Sequence, residues 1–309
     1  MKPDTQESPT STATTRRDFL RTTTAAAAAL AAPTLLGAAA ASAVEPSWKM
    51  KLSTSTVQFG TLSVEDACAR IAALGFEAVD FWPSNFQCPH LDEIEKMGPE
   101  GLKELLAKHK LKLYAFTCYS LGNRDTTGYP KYAELLGKAG GGVAVRESRA
   151  GVAKHLTAEM KAFLETLKPE VELAEKHNGY VAVENHGGCL LSSLDSFKAF
   201  VELNHSPRLG VALAPYHLQA AGISVEDVIA AAGKQLFFFY AWQHADGIGQ
   251  LPGIGPTDCT PWIAALAKTN YRWYVNPFMH GHPAPDAMSK ALATSRKYME
   301  ICYRRAMSI

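Results

Sequence analysis

Four short stretches of the sequence hold the imidazole, carboxylate and amide side chains that could do chemistry. They are Glu184-Asn185-His186, Ala214-Pro215-Tyr216-His217, Trp242-Gln243-His244-Ala245-Asp246 and Asn276-Pro277-Phe278-Met279-His280-Gly281-His282. Each follows or ends an apolar run. Five of the ten histidines lie in these stretches, and His205, just before the run at Leu209, is a doubtful sixth. Imidazole and carboxylate together can pass protons near neutrality and can hold transition metals. One histidine alone is more often a hydrogen-bonded structural group. A cluster of them behind successive strands points to a site.

The elements that must position these residues are short apolar runs alternating with helical patterns. Strands are expected at Leu52–Val57, Ala78–Trp82, Leu111–Thr117, Val143–Arg146, Tyr180–Asn185, Leu209–Leu213, Leu236–Trp242 and Trp273–Asn276. Runs of this kind suit strands buried on both faces. Helical patterns lie between them, from Ser63 to Gly75, then at 99–109, 129–136, 157–177, 194–203, 225–232, 261–268 and 285–307. Eight strands alternating with eight helices imply parallel pairing and right-handed crossovers. About 260 residues suit an α/β fold of one kind, a single (β/α)8 TIM barrel. No Gly-x-Gly-x-x-Gly follows the first strand, which speaks against a dinucleotide fold. In such a barrel the loops after the strands form the active end, and there the four stretches meet.

Residues 1–43 read differently. Arg16-Arg17 precede Phe19-Leu20, a long Ala-rich run follows, and Ala41-Ser42-Ala43 closes it. A charged start, an apolar middle and a small-residue exit describe a secretory signal, and the paired arginines resemble a twin-arginine (Tat) export signal. The expected domains are therefore a signal peptide at 1–43 and the barrel at 44–309. The resemblance implies the Tat export machinery as a partner, a periplasmic or extracellular location, and no membrane span after cleavage. The full chain carries 31 Lys and Arg against 30 Asp and Glu, and removal of the signal leaves 27 of each. A neutral chain without a basic stripe argues against nucleic acid as a partner. The six cysteines form no CxxC pair, so no zinc ribbon or disulfide scaffold is indicated.

From Leu52 to Arg305 the chain resembles the xylose isomerase-like TIM barrels, the sugar phosphate isomerase/epimerase family. The segments that carry the likeness are 181–188, 209–218, Pro252-Gly253-Ile254-Gly255 and Asn276-Pro277-Phe278. The resemblance implies a divalent metal held by Glu, Asp, His and Glu on strands 5 to 8, with glutamates moving a proton between neighbouring carbons. Glu184 matches the first of these positions, but the others are Ala214, Gln243 and Asn276. Two carboxylates are gone, and hard cations such as Mg²⁺ favour carboxylate oxygen. A rebuilt site for Zn, Mn, Fe or Co would rest on Glu184, His217 and His244. The expected catalytic residues are Glu184 as base, with His217 and His186 as partners.

Phosphate recognition calls for cationic side chains or a helix N-terminus. The stretches after strands 5 to 8 hold no Lys or Arg, and only Arg124, Arg146 and Arg149 could bring positive charge to the mouth. A neutral sugar or polyol therefore fits better than a sugar phosphate. Asp80, Trp82, Arg146, Gln243, Asn276 and His280 are the expected substrate-binding residues, and Trp82, Tyr119, Tyr216, Trp242 and Phe278 offer flat faces for a sugar ring. Three readings compete. The first is an exported isomerase or epimerase; the second is a sugar-binding pseudoenzyme that has lost the metal chemistry. A glycoside hydrolase ranks last, because it needs two carboxylates about 5–9.5 Å apart and only Asp80 or Asp246 could join Glu184.

Overall fold

The computed structural model describes residues 48–119 and 128–308. The expected signal segment, its cleavage point and Arg124 lie outside those residues. Eight parallel strands, β1 (Ser53–Ser55), β2 (Ala78–Phe81), β3 (Lys112–Thr117), β4 (Val143–Glu147), β5 (Tyr180–Glu184), β6 (Leu209–Leu213), β7 (Leu236–Ala241) and β8 (Val275–Pro277), pair in sequence order. A bridge between Leu52 and Val275 brings the last strand back to the first, with Val275 N–H donating to Lys51 O at 2.9 Å. The result is the expected single α/β TIM barrel.

Nine α-helices surround it among the described residues. These are α1 (Val64–Ala73), α2 (His90–His109), α3 (Tyr129–Lys138), α4 (Leu156–Lys176), α5 (Leu194–Leu203), α6 (Pro215–Ala220), α7 (Val225–Ala232), α8 (Thr260–Lys268) and α9 (Pro285–Met307). Local chemistry sets several starts. Ser63 accepts from Asp66 N–H at the head of α1, Ser224 accepts from Asp227 N–H at α7, and Ser193 and Ser196 form a reciprocal capping box at α5. Two helices differ from expectation. α2 begins nine residues early and crosses a kink where Gly98 takes φ 71°, a conformation open to glycine, just ahead of Pro99. The short α6 was not anticipated. It follows β6 immediately, with Pro215 preset for its first turn.

Every strand is buried on both faces, and alternation divides the side chains between two cores. Val79, Phe81, Phe116, Val181, Val183, Val211, Leu213 and Phe239 pack under the helices. Ala78, Ala115, Val143, Val145, Ala182, Ala212, Phe238 and Tyr240 fill the barrel. Toward the carboxyl ends of the strands this inner layer turns polar. Ser55, Asp80, Thr117, Glu184 and Asn276 are all buried there. Buried polar groups are costly unless bonded, so a polar layer within an apolar barrel marks the end built for chemistry.

Candidate functional site

Glu184 ends β5 on the barrel-facing side, with 3% of its surface exposed. Tyr119, just beyond β3, donates its hydroxyl to Oε2 of Glu184. The other oxygen, Oε1, lies 3.9 Å from His186 Nε2. The His186 ring sits 4.6 Å from that of His217, centroid to centroid. Ligand atoms of Glu184, His186 and His217 all fall within 4.8 Å of one another, the group of this kind found among the described residues. Asn185 between them turns the other way and clamps β5 to the start of α6. Its amide donates to Ala214 O at 3.1 Å and accepts from Ala214 N–H at 2.7 Å. That clamp places α6, and α6 places His217.

The electrostatics are those of groups kept out of water. Burial pushes the Glu184 carboxyl well above the ordinary range, and the nearby charge of Asp80 adds to the effect. Asp80 is itself pushed up to about 7 by burial, although three side chains donate to it. His217 is pushed down to about 4, chiefly by burial and then by His280 and His244. Its Nε2 atom is buried and finds no hydrogen-bond partner among the described residues. At neutral pH the site therefore presents a neutral His217 imidazole beside a carboxyl that burial holds toward its protonated form.

Aromatic rings wall the mouth on two sides. Trp82 stacks on Phe278 at 5.2 Å and 26°, with Phe86 and Tyr119 against its edge. Beyond Phe278, which it touches at 5.2 Å, Trp242 stacks with Tyr216 at 4.4 Å and 14°, and its indole donates to Gln250 Oε1 at 2.7 Å. His280, exposed at the rim, lies against Trp82, Trp242 and Phe278. The rings expected to offer flat faces thus gather around the polar layer.

Other expected site residues are placed differently. His244 is exposed and packs its ring on Tyr216, while His186 takes the third place beside Glu184 and His217. Gln243 is fully buried on the outward face of the β7 end, because Phe238, Tyr240 and Trp242 take the inward one. Its amide donates to Leu251 O and accepts from Thr257 N–H, both at 2.7 Å, so it holds the following loop. That loop passes so close that a Cβ on Gly255 would meet Gln243 Cδ at 2.6 Å. Arg146 also faces outward. It binds Glu170 of α4 at 2.8 Å and lies over Phe163, away from the mouth. Arg149 pairs with Glu159 at 2.6 Å. Asn276 does face the barrel, but its amide is spent on Ser53 and Ser55, each at 2.9 Å. His205 lies at the opposite end, between α5 and β6, and Asp246 is exposed.

One residue escaped the sequence reading. Glu147 stands opposite Glu184 in the strand register, and alternation with Val143 and Val145 puts it on the barrel side. The strand was expected to end at Arg146. Continuing the period of two by one residue would have found it.

Comparison with known proteins agrees with the architecture. No curated protein sequence matches the chain. Solved structures do, at low identity. The IolI protein with a bound zinc atom is 19% identical with a TM-score of 0.66, over 84% of this chain and all of that one. The 3-keto-D-glucoside 4-epimerase YcjR from E. coli is 17% identical with a TM-score of 0.63, over 81% and 100%. A probable 3-DHS dehydratase, AsbF of Bacillus anthracis, is 19% identical with a TM-score of 0.61, over 79% and 97%. At such identity the likeness is one of fold. The sequence itself carries the assignment further, because residues 68–299 match the family described as xylose isomerase-like TIM barrel, and the chain belongs to that family.

Proposed function

We propose that this protein is a sugar isomerase or epimerase-type enzyme that moves a proton on a neutral sugar or polyol, with Glu184 as the base. The observation that carries the reading is the buried Glu184 carboxyl, grouped with His186 and His217 at the carboxyl end of the barrel. A carboxyl whose hold on its proton is strengthened by burial is suited to taking a proton from carbon and returning it. Tyr119 fixes one oxygen and leaves the other for the substrate. His217, neutral at pH 7, can accept from or donate to a sugar hydroxyl without bringing charge. The aromatic walls supply stacking faces and exclude water. Arg146 and Arg149 are both paired to glutamates, which supports a neutral substrate over a phosphorylated one.

The residues also fit a divalent cation. One carboxylate and two imidazoles, one of them with an unpartnered buried Nε2, suit Zn, Co or Fe, and less well Mn. Glu184, His186 and His217 would hold it, and once bound it would supply Lewis acidity at a carbonyl or hydroxyl. The site is degenerate by comparison with the pattern its family implies, since Ala214 offers no donor and Gln243 and Asn276 are committed elsewhere. That commitment favours a second reading, a sugar-binding protein without turnover.

Both readings meet one experiment. The protein, purified without chelator, is assayed for bound metal and for exchange of solvent deuterium into a panel of neutral ketoses and aldoses. Exchange that falls by about 10²–10⁴ in Glu184→Gln, with sugar binding retained, supports the enzyme. Sugar binding with no exchange in the wild type supports the binding protein. We also infer from Arg16-Arg17 and Ala41-Ser42-Ala43 that the chain is exported by the Tat route. Among the described residues no helix is long and apolar enough to cross a membrane. Retention of an Arg16→Lys/Arg17→Lys variant in the cytoplasm tests the export.

A further inference from the structure

Asp80 has none of its surface exposed. Its Oδ2 accepts from Ser55 Oγ at 2.7 Å and from Trp82 Nε1 at 2.5 Å, and Thr117 Oγ1 lies 3.1 and 3.2 Å from its two oxygens. The donors come from β1, β3 and the residue just past β2, so the carboxyl is fixed from three directions. It was expected to bind a sugar hydroxyl. The protein's own donors occupy it instead, and what it holds is Trp82.

Trp82 is the hub of one wall of the mouth. It is 1% exposed and touches Phe86, Tyr119, Phe278 and His280 at 4.9, 5.9, 5.2 and 5.9 Å between ring centroids. Tyr119 in turn donates to Glu184. A buried indole N–H that loses its acceptor is left desolvated and unpaired, which favours other ring poses. We propose that Asp80 is a positioning residue that sets the sugar preference of the site by locking the Trp82 indole against Phe278. This rests on the reading of the mouth as a sugar site.

The test compares Asp80→Val, Asp80→Asn, Trp82→Phe and the double variant Asp80→Val/Trp82→Phe. Dissociation constants are measured for a panel of neutral ketoses and aldoses, and hydrogen exchange is followed at the Trp82 indole N–H by ¹⁵N NMR. Asparagine with its oxygen in the place of Oδ2 can still accept from the indole and from Ser55, and the Thr117 hydroxyl can rotate to accept its N–H, so it should act as the rescue. Asp80→Val and Trp82→Phe should each change the preference between two sugars by tenfold or more, and the double variant should add nothing further. Indole exchange should quicken at least tenfold in Asp80→Val and little in Asp80→Asn. If Asp80→Val frees the indole yet leaves the preference intact, or if the two effects add, the proposal is overturned while the sugar site stands. If Asp80→Val does not fold, an unchanged preference in Trp82→Phe overturns the proposal and a tenfold change supports it. A wild-type protein that binds none of the sugars would overturn the site reading and the proposal together.

Discussion

Asn276→Asp swaps one buried atom and asks whether the β8 position has become part of the framework. Asn276 accepts from Ser53 Oγ and donates to Ser55 Oγ, each at 2.9 Å, and Ser55 donates on to Asp80 at 2.7 Å. An ionised aspartate keeps the first bond but has no proton for Ser55. It also sets a second negative charge one serine away from Asp80. Asp80 supplies the scale, because burial lifts it from 3.8 to about 7 even with three donors. An Asp at 276, fully buried and with fewer donors, is lifted at least as far. Its folded pKa then lies above its unfolded one, so its favourable contribution is complete below the unfolded value and is lost as pH rises through about 7. Three units correspond to about 4 kcal/mol, a large part of a typical domain's stability. The variant should lie within about 1 kcal/mol of wild type near pH 4, where a protonated carboxyl can donate to Ser55. It should be about 4 kcal/mol less stable near pH 8.5. Urea unfolding of both proteins across this range is the assay, and titrations common to the two largely cancel in the difference. A difference that does not grow with pH refutes the reasoning.

Other consequences are simpler to state. Arg146→Met leaves the carboxyl of Glu170, only 12% exposed, without its guanidinium. It should destabilise the fold by about 3–5 kcal/mol while leaving sugar affinity unchanged, as unfolding and binding titrations will show. The His217 imidazole should stay neutral down to about pH 4. Its folded pKa lies below the unfolded one, so the stability it lends at neutral pH is lost as pH falls from about 6.5 toward 4. An NMR titration of metal-free protein checks this, and a midpoint near 6.5 would show that the imidazole is not shielded.

The barrel was legible because its strands are apolar on both faces, and the same property hid the site's details. In Leu236–Trp242 every residue is buried, so alternation of polarity cannot say which side faces inward. A shift of one residue exchanges the faces: the family likeness points to Gln243 at the mouth beside Trp242, whereas the structure turns Trp242 inward and Gln243 outward. Val143-Ala144-Val145-Arg146 posed the same problem, and Arg146 was assigned to the mouth although Glu147 has the inward position. Glu184 could be read because a charged residue closes an apolar strand and His186 follows two residues later. β1 was harder. Ser53-Thr54-Ser55 is buried but polar, since its hydroxyls serve Asn276, Pro277 and Asp80, and its bonds are invisible in the sequence. α6 went unread although Pro215, directly after the end of β6, is a helix-start signal.

The raised carboxyls and the proposed metal site belong to one argument. With only the imidazoles of His186 and His217 beside it, Glu184 has little positive charge to stabilise its ionised form, and Asp80 opposes ionisation further. A divalent cation at Glu184, His186 and His217 would reverse that balance, because it must displace the carboxyl proton to bind. Cation affinity should therefore rise with pH as the Glu184 carboxyl gives up its proton, with proton release in step. The same ionisation makes Glu184 a base. Metal uptake, proton release and deuterium exchange into a sugar should then share one pH dependence if the site is catalytic. In a protein that only binds sugar, affinity has no reason to follow the Glu184 proton, since stacking on Trp82, Trp242 and Phe278 is indifferent to it.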